Sequence, residues 1–415
     1  MISKYFKALV MFSILITGCK NSDKSAKKES NAAPAVNENT FSHDQDFLKK
    51  WDSSLVVLKA GDSNAMILVS PKYQAKVFTS TARGDSGKSF GWINYGAFEK
   101  PVDPHMNAFG GEDRLWLGPE GGPFSLFFAP GKEMVFDNWH TPAPFDIESW
   151  SLVSYTTNEA RLSKDMKLLN YAGTELHLNI NREIRMLETP QIEKSLSIAL
   201  GKDVHVVGFT TTNTLKNTGN IVWDHKTGAP CMWNLDMFTP SEKTVIVIPY
   251  KTNVEGKVAT TDYFGEIPAD RIKIDSGTLY FRADGHSRGK LGLPPARVKG
   301  VAGSYSADKG VLTIIRYDVD QKGTYLNQEW TTKKDPFTGD VMNAYNDGPL
   351  KDGSQMGPFY EMESVSPAAF LKPGESLVHK HTVYHFTGDQ NALNGISEKV
   401  LGVSLDQINS IFKKD

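Results

Sequence analysis

Cysteine is almost absent from this chain, whose 415 residues include only Cys19 and Cys231. A disulfide framework is therefore excluded, and burial of a core has to stabilise the fold, which a chain of this length can achieve. An excess of charge is also missing, since 46 Lys and Arg stand against 48 Asp and Glu. A net charge of −2 gives no basic surface for nucleic acid, and we expect no nucleic-acid partner.

A long apolar run is missing as well. The longest one near the start, residues 8–16, is too short to span a bilayer as a helix. It follows Lys4 and Lys7 and ends in Ile-Thr-Gly-Cys, which resembles the lipobox read by lipoprotein signal peptidase. We therefore predict that residues 1–19 are a lipoprotein signal peptide and that Cys19 carries the lipid. The alternative is an ordinary secretory signal with a chance cysteine.

The segment after the lipobox is polar and has no apolar periodicity. Residues 20–44 are rich in Lys, Ser, Asn and Ala, a composition typical of a disordered tether. Several acyl chains on one cysteine anchor a protein stably to a membrane. We expect a lipid-anchored protein of the bacterial cell envelope, held at the outer membrane on its periplasmic or its surface face.

Helical periodicity is scarce between residues 50 and 385, where no window indicates an amphipathic helix. Short β-branched runs with turn residues between them fill this region, and residues 172–187 alternate polar and apolar side chains as a strand does. We predict one all-β domain over residues 45–388, built as an antiparallel sandwich. Residues 389–415 are predicted to add short helices, the last of them capped by Ser404 with Gln407.

Three motifs carry weaker signals. Residues 82–89 (ARGDSGKS) fit a relaxed phosphate-loop pattern, but no helix is predicted after them, so a surface turn is the better interpretation. Residues 318–329 match four positions of a calcium-binding loop, and residues 335–347 are rich in oxygen ligands. Flanking β patterns favour a hairpin and a solvated loop. We expect no cofactor, with calcium as the minor alternative.

Three further segments, taken in order, are more specific. Residues 360–386 contain Tyr-Glu-Met-Glu-Ser, then Lys-Pro-Gly-Glu, then Thr-Val-Tyr-His-Phe. Residues 137–150 run from Asp-Asn-Trp-His to a downstream Trp, and residues 110–116 read Gly-Gly-Glu-Asp-Arg-Leu-Trp. Together they resemble the closing segment, the His region and the Gly-rich strand of the aldose 1-epimerases, the galactose mutarotase family. The resemblance implies a large antiparallel β-supersandwich.

The same resemblance implies acid and base chemistry on a sugar ring, with a carboxylate taking the proton of the anomeric hydroxyl. Glu361 matches that base, and Glu363 shares its strand parity and could face the same cleft. The remaining residues that the resemblance assigns to sugar binding are Arg114, His140, Trp233 and Asp284. For Arg114 the alternative is a salt bridge with Glu112 or Asp113, and for His140 it is a structural role in a loop.

One position departs from the family. The proton-donating His should precede the strand Met-Trp-Asn-Leu, but Pro230 occupies that place and cannot transfer a proton. His225 is the nearest substitute. The sequence therefore predicts a monomeric protein with a carbohydrate partner and an isomerase-like site at Glu361, His225 and Glu363, with a lyase or hydrolase of the same fold less favoured. The alternative is a non-catalytic glycan-binding or scaffolding component of a surface uptake system.

Overall fold

The computed structural model describes residues 40–413. The predicted signal peptide with Cys19, and residues 20–39 of the predicted tether, lie outside the described residues. Helix α1 (Phe41–Trp51) begins inside the predicted tether and buries Phe41 and Leu48. The folded region therefore starts before residue 45, which corrects that boundary. Within residues 40–413, no helix is both long and apolar enough to cross a membrane.

Strands dominate the described region. In chain order they are β1 (Val56–Lys59), β2 (Met66–Ser70), β3 (Lys76–Thr81), β4 (Arg114–Gly118), β5 (Ser151–Tyr155), β6 (Glu159–Leu169), β7 (Glu175–Met186), β8 (Val204–Asn217), β9 (Cys231–Phe238), β10 (Thr244–Pro249), β11 (Ile272–Asp275), β12 (Thr278–Arg282), β13 (Gly289–Leu293), β14 (Val301–Ser306), β15 (Val311–Tyr317), β16 (Met342–Asn346), β17 (Tyr360–Val365) and β18 (Ser376–Gly388). The helices that follow α1 are α2 (Thr189–Leu196), α3 (Gln390–Leu401) and α4 (Leu405–Ser410).

The strands form three antiparallel sheets. The largest has ten strands in the order β11-β12-β10-β14-β15-β18-β8-β7-β6-β5, and the second has five in the order β13-β16-β17-β9-β4. A small sheet of β1, β2 and β3 completes the set. The predicted all-β class, with antiparallel sheets and short helices at the C-terminus, is confirmed.

Burial patterns along the strands show where each sheet lies. Strand β7 alternates buried and less buried residues, as expected for a sheet with one face toward the core. Strands β9 and β17 are buried at every position. The five-stranded sheet is therefore covered on both of its faces. For this reason polar and apolar residues alternate clearly in residues 172–187, while the sequences of β9 and β17 show no simple alternation.

A polar layer lies between the five-stranded and the ten-stranded sheets. Arg182 of β7 makes an ion pair of 3.0 Å with Asp113, and neither side chain is exposed to solvent. Asn234 of β9 donates to the Asp113 carboxylate over 2.8 Å. Further along, His381 of β18 pairs with Asp236 over 2.7 Å. Because buried polar groups require partners, these contacts fix how the two sheets face each other.

Helices α2, α3 and α4 cover the outer side of the ten-stranded sheet, where Ile192, Leu393 and Ile408 join one apolar cluster. Helix α4 has the predicted capping box, with Ser404 accepting from Gln407 N and the Gln407 side chain reaching back. Helix α2 was not predicted. It has only eight residues, and its apolar pair Ile192 and Leu196 is too short a stripe to show helical periodicity.

Candidate functional site

Alternate side chains of the five-stranded sheet point away from the polar layer and form the floor of a cleft of about 410 Å³. The floor carries, strand by strand, Arg114 and Trp116 of β4, Trp233, Leu235 and Met237 of β9, Lys290 of β13, Tyr345 of β16 and Glu361 of β17. The structure thus brings together Arg114, Trp233 and Glu361, three of the residues that the sequence pointed to. Cross-strand register explains the placement, because Lys290, Tyr345, Glu361 and Met237 lie in one row across the sheet.

Arg114 and Glu361 form the first charge pair on this floor. The Arg114 Nη2 group donates to Glu361 Oε1 over 2.5 Å, and both side chains are nearly buried. The predicted alternative partners of Arg114 are engaged elsewhere, since Asp113 pairs with Arg182 and Glu112 with His385. Burial raises the pKa of Glu361 to about 8; the charge of Arg114 opposes that rise and the carboxylate of Glu363 adds to it. A carboxyl group with such a pKa exchanges protons near neutral pH.

Glu363 lies beneath the floor and does not line the cleft. Its Oε2 atom accepts from Lys290 Nζ over 3.0 Å and from the Trp233 indole N–H over 2.8 Å. The side chain is fully buried, so Glu363 holds the floor residues in place. Of the two glutamates that share strand parity, Glu361 is the one that a ligand can reach.

Lys290 is the second cation of the floor. Burial disfavours its charged form, but the carboxylates of Glu363, Glu120 and Glu361 outweigh that effect and raise its pKa. Its ammonium group also lies 4.6 Å from the centre of the Trp233 ring. Lys290 therefore stays charged at neutral pH, in the middle of three carboxyl groups.

Aromatic side chains make one wall of the cleft. Trp139 stacks on Phe136 and Trp330 with ring centres 6.1 and 6.0 Å apart. The indole N–H groups of Trp139 and Trp330 are buried, and both favour the ionised form of the Glu120 carboxyl group. Both rings line the cleft together with Glu120.

Glu120 lines the cleft beside this wall. Burial raises its pKa, although the charge of Lys290 and the Trp330 indole favour the ionised form. The loop of Glu120 lies tightly against the loop of Trp330, because a Cβ atom at Gly121 would stand 2.1 Å from the carbonyl oxygen of Glu329. Only glycine permits this approach, which brings Glu120 and Trp330 to the same wall.

His225 does not line the cleft. Its ring stacks on Phe370 at 4.3 Å and contacts Phe337 at 4.6 Å, outside the floor and the walls. The expected placement of His225 as the substitute acid is therefore corrected. Pro230 has no side-chain group that donates a proton, and its carbonyl oxygen accepts from Ala369 N. Aromatic stacking in the loop before β9 holds His225 away from Glu361.

Two other expected ligands also lie off the cleft. His140 donates its Nδ1–H to the carbonyl of Pro104 and stacks on His105 at 4.7 Å, and His105 is the residue that lines the cleft. Asp284 forms an ion pair with Arg271, so its carboxylate is engaged away from the site. The placements expected for His140 and Asp284 are corrected accordingly: one is a structural loop histidine and the other belongs to a salt bridge.

Sequence reasoning missed Lys290, Glu120, Trp330 and His105. Lys290 gave one usable signal, a lysine inside the apolar run Gly-Lys-Leu-Gly-Leu. The others lie in loops, and nothing local relates their positions to β17. Among the described residues, no group of three or more His, Cys, Asp or Glu side chains is arranged to hold a metal ion. Residues 40–413 thus provide no such cluster for calcium, the minor alternative stated from the sequence.

Comparison with known protein families assigns the chain to one of them. The model of the family of unknown function DUF6786 matches residues 39–412. The chain belongs to this family. No curated protein matches this member of DUF6786 significantly in sequence.

Among solved structures, the DUF6786 chain resembles a galactose mutarotase-like protein from Lactobacillus casei, with 8% identity, a TM-score of 0.47, and coverage of 80% of this chain and 100% of that one. It is also similar to a candidate aldose 1-epimerase from Escherichia coli K12, with 13% identity, a TM-score of 0.45, and coverage of 80% and 99%. A galactose mutarotase related enzyme from Lactobacillus acidophilus shows 8% identity, a TM-score of 0.40, and coverage of 80% and 97%. The resemblance stated from the sequence motifs is found again here, and it says nothing of the activity of this chain.

Proposed function

We propose that this protein binds a carbohydrate in the cleft above the five-stranded sheet. The observation that carries the proposal is the pairing of an aromatic wall with a charged floor. A sugar ring has apolar C–H faces and a rim of hydroxyl groups, so it needs flat aromatic surfaces beside hydrogen-bond donors and acceptors. Trp139 and Trp330 supply the surfaces, and Arg114, Glu361 and Lys290 supply the polar groups.

The size and charge of the cleft support the same class of ligand. A volume of about 410 Å³ lies within the range of small-molecule sites, which start near roughly 300 Å³. The cations Arg114 and Lys290 are each engaged by a carboxyl group of the protein, Arg114 by Glu361 and Lys290 by Glu363. Since both cations already have partners inside the protein, a neutral polyhydroxylated ligand suits this floor.

Replacing Trp330 by Ala tests the carbohydrate proposal. We expect the affinity for the best-bound sugar to fall about 10-fold or more, because the change removes a stacking surface and an indole donor. The sugar is selected on an array that includes galactose, glucose and their oligomers, and affinities are then measured by calorimetry. Trp330→Phe retains a ring and loses the N–H group, so it separates stacking from hydrogen bonding.

The control for this experiment is Trp51→Ala, which removes a half-buried tryptophan from α1, away from the cleft lining. We expect the affinity of Trp51→Ala to equal that of the wild type. Binding to no member of the array, or equal losses in Trp330→Ala and Trp51→Ala, would contradict a carbohydrate site in this cleft.

The second candidate function is isomerisation at the anomeric centre. It is favoured by two cleft carboxyl groups, Glu361 and Glu120, whose pKa values are both raised by burial. One group can take the proton of the anomeric hydroxyl while the other gives a proton to the ring oxygen. Lys290 lies among them and offsets the charge that moves between them. The test is the optical rotation of freshly dissolved sugar, compared with and without protein.

We also propose that the protein acts at the bacterial cell envelope through a lipid on Cys19. The short apolar segment, the lysines before it and the Ile-Thr-Gly-Cys sequence support this location. Cys19→Ser removes the thiol that takes the lipid. We expect the wild type to fractionate with membranes and to incorporate labelled palmitate, and the variant to lose both properties. Equal labelling of the two proteins would refute the anchor at Cys19.

A further inference from the structure

A second cavity lies at one end of the sandwich, between the five-stranded and ten-stranded sheets. It measures about 330 Å³ and is lined on one side by Phe90 and Phe238 and on the other by Thr313 and His385. It shares no lining residue with the sugar cleft. A neighbouring cavity of about 390 Å³ shares Lys88, Phe90 and Lys309 with it. We call the two together the basic groove.

Two lysines face this basic groove from different parts of the chain. The Lys309 ammonium donates to the carbonyls of Thr239 and Pro240, over 3.0 and 2.7 Å. Burial and the positive charge of Lys88 together lower the pKa of Lys309 to about 8. Both lysines line the same cavity, and their like charges repel each other.

Asp308 relieves that repulsion only in part: burial lowers the pKa of Lys88 and of Lys309, and the Asp308 carboxylate opposes both shifts. Across residues 40–413, neither Lys88 nor Lys309 has an acidic side chain within ion-pair distance. The Oδ1 atom of Asp308 accepts from the hydroxyl of Ser241 over 2.5 Å. Glu112, deeper in, is paired with His385. Arg83 adds a third cation at the rim of the basic groove.

The local backbone holds Lys88 in this position. Gly87 packs on Thr81, and a Cβ atom at Gly87 would stand 2.3 Å from Thr81 Oγ1. Its carbonyl accepts from the first residue of α1, Phe41, over 2.9 Å. Beside it, the Ser89 hydroxyl lines the basic groove, is buried, and has no hydrogen-bond partner. Buried polar groups normally have partners, so this hydroxyl, next to two cations, is a donor that an acceptor atom of a ligand would satisfy.

We propose that the basic groove binds a small oxyanion, a phosphate, sulfate or carboxylate group, between Lys88 and Lys309 with the Ser89 hydroxyl as a further donor. Ammonium groups bind such anions as point charges, and a partly buried setting strengthens the attraction. The phosphate-loop pattern at residues 82–89 thus supplies a lysine and a serine to an anion site built from side chains. It is not a phosphate loop, because no helix follows it.

The test titrates the full chain with sodium phosphate, sodium sulfate or sodium acetate, at constant ionic strength set by sodium chloride. Binding is followed by calorimetry and by the shift of the unfolding temperature. We expect saturable binding of at least one oxyanion and a loss of about 10-fold or more in its affinity in Lys88→Gln. The three salts distinguish tetrahedral anions from a carboxylate. Ser89→Ala is expected to weaken binding less, since it removes one neutral donor.

The matched control is Lys167→Gln, which removes the same charge from an exposed position of β6. This variant is expected to bind the anion as the wild type does. A response of the wild type no larger than that to chloride would overturn the proposal, as would equal affinities in Lys88→Gln and Lys167→Gln. Because Lys88 is exposed, Lys88→Gln is expected to fold, and its unfolding temperature without added oxyanion checks this.

Discussion

Replacing Arg182 by Met is expected to lower the free energy of unfolding by about 3–5 kcal/mol, because it leaves a charge buried without its partner. The guanidinium group pairs with Asp113 over 3.0 Å and donates to Asn213 over 2.8 Å and to the carbonyl of Ala75 over 3.0 Å. Methionine fills much of the same volume and removes all of these donors. Asp113 is then left with Asn234 as its side-chain donor.

The loss should depend on pH in a direction that the structure fixes. Burial alone would raise the pKa of Asp113, but the charges of Arg182 and His381 hold it below its usual value of 3.8. A depressed carboxyl pKa contributes stability above the unfolded value, and that stability is lost as pH falls through the folded value. We therefore expect the difference between Arg182→Met and the wild type to be largest near neutral pH and to shrink below about pH 4.

Denaturant unfolding at several pH values measures this effect, and Arg185→Met is the control. Arg185 lies on the same strand but is half exposed and pairs with Glu159 and Glu183 at the surface. Exposed ion pairs contribute less than about 1 kcal/mol, so the control should be nearly neutral. A similar small loss in Arg182→Met would show that the polar layer does not stabilise the packing of the two sheets.

Glu361→Gln is expected to reduce any anomerisation rate by about 100-fold or more while the sugar is still bound. The amide keeps the size of the side chain and can still accept from Arg114, but it cannot carry a proton. In the wild type the excess rate over buffer should rise as pH increases toward about 8, where Glu361 becomes the unprotonated base. The substitution removes that base, so binding and rate should separate.

Polarimetry for the rate and calorimetry for the affinity are both needed here. Glu183→Gln, at a half-buried position of β7 outside the cleft lining, controls for the loss of one carboxylate and should retain the full rate. Glu120→Gln should lower the rate as well, if this carboxyl is the second proton-transfer group. A wild-type rate equal to that of buffer would refute the isomerase and leave sugar binding as the function. An unchanged rate in Glu361→Gln would refute the role of this carboxyl.

The sequence predicted the fold and the centre of the site for physical reasons that can be named. Polar and apolar residues alternate along strand β7 because one of its faces meets the core. This alternation can be recognised in the sequence. Arg114, Trp233 and Glu361 were predicted from the motif resemblance, and all three lie inside strands, where parity decides which face a side chain takes. Their neighbours in the cleft follow from strand register, which a single sequence does not give.

The errors at the site come from loops. His225 precedes β9 by only a few residues, but contacts with Phe337 and Phe370, far along the chain, decide where its ring lies. Trp330 and Glu120 meet because Gly121 lets their loops touch, and such a contact between distant segments leaves no local periodicity. Helix α2 was missed for the opposite reason, since its stripe is local but too short.

The polar layer behind the cleft has a consequence for how a ligand is received. Adjacent residues at the start of β4 and within β9 face opposite sides of one sheet: Asp113 precedes Arg114, and Asn234 follows Trp233. The hydrogen bonds of the polar layer are directional and fix one face of the five-stranded sheet. The opposite face, which forms the cleft floor, therefore has little freedom to rearrange. The floor is therefore preorganised, and little entropy is lost in ordering it when a ligand arrives. Free and occupied forms should superpose closely at these strands, and adaptation should be confined to the loops of Glu120 and Trp330.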